Sequence, residues 1–324
     1  MTPLKFSSCL SEAIKHFIKL RCLSGTEYGS QIRLLWYFDK FLNEQNIVNP
    51  CITRQVISLY QQSLSQLAPR SQENRLCVVR QLCKYISLRD PQCYVPDSIR
   101  TISSSKSCSP YIFNCEEIRS LLAAASQLPA PHSLRPKTYY TLIGLLYSTG
   151  IRISEAIALN LKDFNEINQT LYVAEGKFRK SRIVILSNST CQALQKYLDS
   201  RLREKPCCEE SPLLINQRCT RLNYVTVNHT FRQLLKLSNI PLNIQKSPRI
   251  HDMRHTFAVH RLLAWYKDGQ DVNARLPGLA TYMGHVDISS TQVYLKPTAD
   301  LLGEINSRFH DYFMKNVYSE RSRS

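Results

Sequence analysis

No uninterrupted apolar run in this chain approaches the ~20 residues that a helix needs to cross a bilayer, so a membrane span is not expected. The opening, Met1-Thr2-Pro3-Leu4-Lys5-Phe6, has no basic stretch followed by a long apolar core, and a secretory signal is not expected either. Cysteines at metal-finger spacing are also missing. The 12 cysteines stand at positions 9, 22, 51, 77, 83, 93, 108, 115, 191, 207, 208 and 219, with no Cys-x-x-Cys and no histidine at finger spacing. This argues against a zinc-finger pattern, and a chain of 324 residues needs no disulfide staples. The cysteines read as reduced thiols of a cytosolic compartment, many acting as small hydrophobes in helical context. Acidic side chains are scarce, 25 Asp and Glu against 42 Lys and Arg, for a net charge of +17. Such a surplus points to a polyanion, nucleic acid foremost, although a membrane surface attracts the same charge. Residues 1–110 carry 14 basic and 7 acidic side chains, so both that part and the remainder are basic.

With 43% apolar and 21% charged residues the chain has the composition of an ordinary globular protein, long enough for two domains with separate cores. Helical spacing of apolar residues runs through 7–23 (Leu10, Ile14, Phe17, Ile18), from about Thr26 (Ile32, Leu35, Trp36, Phe38, Leu42), after a Thr53 cap (Val56, Ile57, Tyr60, Leu64) and after Ser71 (Leu76, Val79, Leu82, Ile86). This predicts a small helical domain over 1–90. Basic residues decorate it without forming a block: Arg33, Lys40, Arg54, Arg70, Arg75, Arg80, Lys84 and Arg89. Any one of them fits a solvated helix face. As a set, Arg33, Lys40, Arg75, Arg80 and Lys84 are candidates to follow phosphates along a groove, which gives affinity without reading bases.

Periodicity lapses over 91–110, rich in Pro and Ser, and this is the best linker; a short structured contact within it stays open. Helical patterning resumes over 113–128, with Asn114 as cap and Glu116 and Glu117 in the first turn. An apolar helix over 138–148 ends at Gly150, and a new one opens at Ile151-Arg152-Ile153-Ser154-Glu155-Ala156. Two β-rich runs within 171–186 flank a basic turn, a hairpin pattern whose tip would hold Lys177, Arg179, Lys180 and Arg182, four cations in six residues that on so basic a chain favour contact with nucleic acid. Helices follow over 190–203 and 224–237. Residues 265–277 read as a polar excursion turning at Gly269, and Leu301, Leu302, Ile305, Phe309, Tyr312 and Phe313 form an amphipathic tail helix. The fold class is thus mostly α with a small β-hairpin or sheet.

The densest chemistry lies between Arg249 and Leu295. His251 and Arg254 are three apart, which on a helix puts both polar heads over one patch suited to an anion. His285 follows Gly284, and Tyr294 comes nine residues later. A tyrosine before a leucine on an apolar face is more often core than nucleophile. Arg152, just inside a helix start, and Lys177 on the hairpin shift that balance, because both sit where a phosphate site would want them. Together Arg152, Lys177, His251, Arg254, His285 and Tyr294 describe a phosphodiester site. Two arginines would fork to non-bridging oxygens while Tyr294 attacks, His251 takes its proton and Lys177 protonates the leaving oxygen. His285 would hydrogen-bond the same phosphate. Glu155 and Asp252 are isolated from each other and would orient His or Arg, so neither a metal nor a cofactor is required.

These motifs resemble those of the tyrosine recombinase (phage integrase) superfamily, including Xer-type and mobile-element-borne bacterial members. The resemblance rests on Thr149-Gly150-Ile151-Arg152-Ile153-Ser154-Glu155-Ala156, on Gly176-Lys177, on His251-Asp252-Met253-Arg254-His255-Thr256-Phe257-Ala258, and on Met283-Gly284-His285 followed by Tyr294. Each motif is weak alone; their order is specific. The resemblance implies a two-domain architecture: a core-binding domain at 1–90, a linker at 91–110, a catalytic domain at 111–300 and a carboxy-terminal helix and tail at 301–324. It implies Arg152, Lys177, His251, Arg254 and His285 as the catalytic pocket, Glu155 as a supporting acid, and Tyr294 joined to a DNA 3′ phosphate. Its expected partners are double-stranded DNA carrying specific recombination sites, a homotetramer on synapsed DNA and accessory DNA-bending or regulatory proteins, in a cytoplasmic, nucleoid-associated setting. The tail helix would pass to a neighbour or fold back on its own domain. Two departures stand out: a longer gap between Arg254 and His285 than in simple Xer-like members, and Gly176-Lys177-Phe178-Arg179-Lys180 where Gly-Lys-Gly is commoner. The rival activities are type IB topoisomerase-like relaxation and DNA binding without catalysis.

Overall fold

The computed structural model describes residues 4–25, 28–97, 110–129, 134–174, 181–204, 208–241 and 247–284. The chain divides into two compact units, Met1–Ser107 and Cys108–Ser324.

The described residues of the first unit form four helices: α1 (Ser11–Leu23), α2 (Gly29–Glu44), α3 (Arg54–Ser63) and α4 (Pro69–Ser87). Their apolar stripes meet in one core holding Ile14, Phe17, Leu35, Phe38, Ile57, Tyr60 and Leu82. Thr53 caps α3 by accepting from the Val56 amide. Helix α4 starts two residues before Ser71, because Pro69 at its first turn needs no amide partner. Helix α1 starts later than the spacing predicts. The residues before it are held by the buried Asp39 carboxylate, which accepts from the amides of Ser7 (2.9 Å) and Ser8 (3.1 Å) and from the Ser8 hydroxyl (2.5 Å). The chain after α4 folds back on this unit: the Tyr94 amide donates to Ile52 O at 2.7 Å, and Arg80 Nε donates to Pro96 O at 2.7 Å.

The second unit packs α5 (Cys115–Ser126), α6 (Arg135–Thr149), α7 (Ile153–Ala158), α8 (Asn188–Glu204), α9 (Tyr224–Leu237), α10 (Asp252–Lys267) and α11 (Val272–Met283). Helix α6 is central, touching α5, α8 and α10, and it buries Leu142, Ile143, Leu145 and Leu146. Asn114 and Glu117 form a reciprocal capping box at the head of α5. A three-stranded antiparallel sheet runs β1 (Phe164–Asn165), β2 (Thr170–Val173), β3 (Arg182–Ile185), with Leu171 opposite Val184. Leu171, Val173 and Val184 face the core while Tyr172, Ile183 and Ile185 are exposed, the period-two alternation of a strand with one covered face.

One expectation fails here. Residues 265–277 are not a polar excursion: α10 runs to Lys267, Gly269 turns the chain with φ 72°, and α11 begins at Val272 with Pro277 inside it. Asp271 caps α11 from both Asn273 and Ala274 amides. Pro277 removes one backbone donor, but Leu276, Leu279 and Met283 pack with Phe257, Val259 and Leu262, and that apolar burial carries the helix through.

Candidate active site

Helix α6 stops at Gly150, whose φ of 62° is the left-handed cap conformation, and a β-carbon there would lie 2.3 Å from the Phe257 ring. Both the turn and the close approach of α10 therefore require glycine. Two residues on, Arg152 occupies the extended cap position of α7. Its amide donates to Glu155 Oε2 at 2.8 Å and its Nη1 to Glu155 Oε1 at 2.7 Å.

Glu155 also receives Arg182, whose Nη1 lies 3.0 Å from Oε1 and Nη2 2.7 Å from Oε2. The Glu155 side chain is only 6% exposed. Burial alone would raise its pKa, but the Arg182 fork, the Arg152 amide and both guanidinium charges reverse this and hold it at about 2. The carboxylate is a fixed anion at neutral pH. It aligns two arginines.

The three arginines of this cluster share a second anchor. Arg182 Nε donates to Tyr282 O at 2.9 Å, Arg254 Nη2 to Met283 O at 2.6 Å, and Arg152 Nη2 to Gly284 O at 3.1 Å. These successive carbonyls form the end of α11, where they lack helical partners and carry the negative end of the helix dipole. Gly284 closes the helix with φ 68°, and a β-carbon there would meet Arg182 Nη1 at 2.9 Å. Arg254, buried in α10, also donates through Nη1 to Gly150 O at 2.7 Å, tying the ends of α6 and α11 together. Three guanidinium charges against one carboxylate leave a positive surplus suited to an anion. Of the two arginines paired with Glu155, Arg152 is the more accessible, 19% exposed against 11% for Arg182.

His251 stands at the head of α10, exposed at its edge but in a crowded neighbourhood. Desolvation lowers its pKa below the ordinary imidazole value, and Arg254, Arg249 and Arg152 add to this against the opposing charge of Asp252. His255 lies edge-on to it, ring centroids 5.1 Å apart, and burial followed by the His251 charge brings its pKa down to about 4. Asp252 faces neither His251 nor Arg254 through a hydrogen bond. It accepts instead from the Arg249 amide at 2.8 Å and Nη2 at 3.1 Å, securing the turn into α10. Thr256, which the sequence reading did not single out, ties α10 to the start of this unit, accepting from the Phe113 amide at 3.0 Å and donating to Asp252 O at 2.9 Å.

Arg182 is half-buried and paired rather than open to solvent. Expected at an exposed hairpin tip as a DNA contact, it is the first residue of β3 and points with buried Val184 toward the core face, where Glu155 draws it in. Among the other residues expected on DNA, Arg33 and Lys84 are exposed on α2 and α4. Lys40 pairs with Glu44 at 3.4 Å, Arg75 lies over the Tyr37 ring at 4.2 Å, and Arg80 is held by Pro96. Lys177, Arg179, Lys180, His285 and Tyr294 lie outside the described residues. A hollow of about 690 Å³ beside the cluster is walled by Tyr147, Phe257, His260, Trp265, Leu279 and Tyr282, and none of Arg152, Arg182 or Arg254 lines it.

The phage integrase family model matches residues 112–300. Over most of its length the chain resembles a Sinorhizobium fredii protein provisionally named integrase/recombinase y4rB, 34% identical over 93% of this chain and 97% of that one. The tyrosine recombinase XerC of Syntrophus aciditrophicus is 28% identical over 73% of this chain and 72% of its own. Among solved structures, the Tn1549 transposon integrase in complex with circular intermediate DNA superposes with a TM-score of 0.66 at 18% identity, covering 91% of this chain and 99% of that chain. The XerH recombinase bound to palindromic difH substrate gives 0.65 at 20% identity, covering 93% and 84%. The overall course of the chain is thus that of recombinases, and the matched segment contains the whole arginine cluster: the chain belongs to the phage integrase, or tyrosine recombinase, family.

Proposed function

We propose that this protein is a site-specific DNA recombinase that cleaves and rejoins double-stranded DNA through a 3′-phosphotyrosine at Tyr294. The observation that carries the reading is the pinning of Arg152 and Arg254 by Gly150, Gly284 and Met283 carbonyls, with Glu155 setting the angle of Arg152. Donors fixed before substrate arrives stabilise charge developing at phosphorus without reorganising in the transition state. His251, with its lowered pKa, is neutral near pH 7 and accepts the tyrosine proton. The Tyr294 oxygen forms a bond to phosphorus as the bond to the 5′ oxygen breaks, and Lys177 protonates the departing 5′ hydroxyl. In the second step a 5′ hydroxyl from another duplex attacks the phosphotyrosine and releases Tyr294. One ester replaces another at each step, so no nucleotide cofactor is consumed.

The net charge of +17 and the DNA in the Tn1549 integrase and XerH complexes support a DNA partner. We place the reaction in a cytoplasmic, nucleoid-associated homotetramer on synapsed sites, serving integration, excision, resolution or transposition of a mobile element with accessory DNA-bending proteins. The test is trapping on a duplex from the native locus, nicked so that the cleaved 5′ piece diffuses away. Wild type forms a covalent adduct that maps to Tyr294, Tyr294→Phe binds without forming it, and Arg254→Ala forms it roughly 100-fold more slowly or worse. An adduct persisting in Tyr294→Phe refutes the assignment.

A further inference from the structure

Three donor side chains of the first unit, none of them part of the arginine cluster, converge. Cys51 lies just ahead of α3, and Asp90 and Cys93 lie just after α4, so 42 residues separate the two thiols in sequence. The sulfurs are 3.5 Å apart, Cys93 Sγ is 3.4 Å from Asp90 Oδ2, and one donor atom from each residue falls within 4.8 Å of the others. A tetrahedral zinc ion with Zn–S near 2.3 Å and Zn–O near 2.0 Å requires S···S and S···O edges of about 3.8 and 3.5 Å. The S···S and Cys93–Asp90 spacings need shifts of only a few tenths of an ångström to fit, and the Cys51–Asp90 edge, within 4.8 Å, closes by up to about 1.3 Å on the ion.

The donors are also pre-oriented. Asp90 Oδ1 accepts from the Gln92 amide at 3.1 Å, which turns Oδ2 toward the sulfur. The Cys93 amide donates to Asp90 O at 3.1 Å, and Tyr94 N donates to Ile52 O at 2.7 Å, clamping the two segments side by side. Outer hydrogen bonds of this kind fix ligand geometry in metal sites. Cys93 is buried and Cys51 half-buried, so water reaches the group from one side. A disulfide would use the two sulfurs alone and leave Asp90 Oδ2 without the thiol proton it now accepts, whereas a cation uses all three groups.

We propose that Cys51, Asp90 and Cys93 form a binding site for a thiophilic divalent cation, Zn(II) by donor set, with water as fourth ligand. Binding releases the two thiol protons and leaves a Zn–S₂O₂ centre, one oxygen from Asp90 and one from water, with no change of oxidation state. It ties the α2–α3 connection to the chain leaving α4, on the way to the second unit. No Cys-x-x-Cys spacing announces it, because the ligands come from opposite ends of a helical pair.

The test uses the full-length protein, purified with reductant and freed of metal, titrated with Co(II) and then Zn(II). Wild type is expected to take up one Co(II) with a sulfur-to-cobalt charge-transfer band and d–d bands of tetrahedral intensity, both bleached by Zn(II). Zn(II) raises its thermal midpoint. Cys51→Ser and Cys93→Ser each abolish the bands, Asp90→Asn weakens uptake by at least about tenfold, and Cys208→Ser, at an exposed cysteine elsewhere, changes nothing. Cys51 is partly accessible, so its serine variant tests the site even where Cys93→Ser disturbs the core; unchanged helical circular dichroism confirms the fold. Absent or octahedral-type bands, or tetrahedral bands retained in Cys51→Ser, overturn the proposal. So does a Cys51–Cys93 disulfide that fills the population without reductant and yields, once reduced, a protein that takes up no metal.

Discussion

Glu155→Gln is the sharpest perturbation of the arginine cluster, because it keeps the shape of the side chain and removes only the charge. The carboxylate has a folded-state pKa of about 2 against an ordinary value of 4.5. That depression corresponds to about 3 kcal/mol of stabilisation at neutral pH, at roughly 1.4 kcal/mol per pKa unit. Leaving Arg152 and Arg182 face to face without their shared anion points to a similar or larger loss, about 3–5 kcal/mol. The sign follows from the direction of the shift. A depressed carboxylate pKa contributes fully above the unfolded value and is lost as pH falls toward the folded one. The gap between wild type and variant should therefore be widest above about pH 5.5, and of the initial 3 kcal/mol about 1.5 should remain at pH 3. The measurement is urea unfolding of both proteins across that range in a Trp36→Phe background, where Trp265 fluorescence follows the second unit alone. A gap that stays flat between pH 6 and pH 3, or one below about 1 kcal/mol at neutral pH, would show that the ion pairs do not hold the cluster together.

Arg182→Lys retains a charge but not the fork to Glu155 and Tyr282 O, so we expect at least about 1–2 kcal/mol of destabilisation and slower strand cleavage; unchanged cleavage refutes its positioning role. Gly150→Ala places a methyl group against Phe257 in a left-handed turn and should cost about 2–4 kcal/mol in urea unfolding, partly recovered by Phe257→Leu. If His251 is the base, the single-turnover cleavage rate should rise with pH to a plateau whose midpoint lies below 6.5, the ordinary imidazole value. His251→Asn should flatten that rise, and an unaltered profile in the variant would reassign the base.

Much of this arrangement was legible in the sequence. Apolar spacing gave the helices of the first unit, and Asn114 and Thr53 marked helix starts that the structure keeps. Gly150 followed by Arg152 marked a helix stop and start, and that local turn holds the arginine. Arg182 was harder to place, for a physical reason. In β3 both alternating faces carry apolar residues, Ile183 and Ile185 on one and Val184 on the other, so period alone does not say which face is covered. Only packing settles that it is the Val184 face. Residues 265–277 misled because their polar side chains and Pro277 look like a loop, while the apolar contacts of α11 outweigh a single missing backbone donor. Cys51 and Cys93 are joined by tertiary folding, which spacing does not record.

Because main-chain oxygens at Tyr282, Met283 and Gly284 hold the three guanidiniums, these contacts do not depend on side-chain identity. Exposed positions on α11, such as Asn273 and Thr281, are free to drift over generations while the grip persists, provided buried Leu276, Leu279 and Met283 keep the helix packed and Gly284 keeps room for Arg182. Alanine at Tyr282 or Met283 strips packing from the end of α11 while leaving both carbonyls in place, so a side-chain scan does not isolate the grip. Backbone chemistry, such as replacing one amide by an ester to weaken its carbonyl as an acceptor, is the tool that would reveal it.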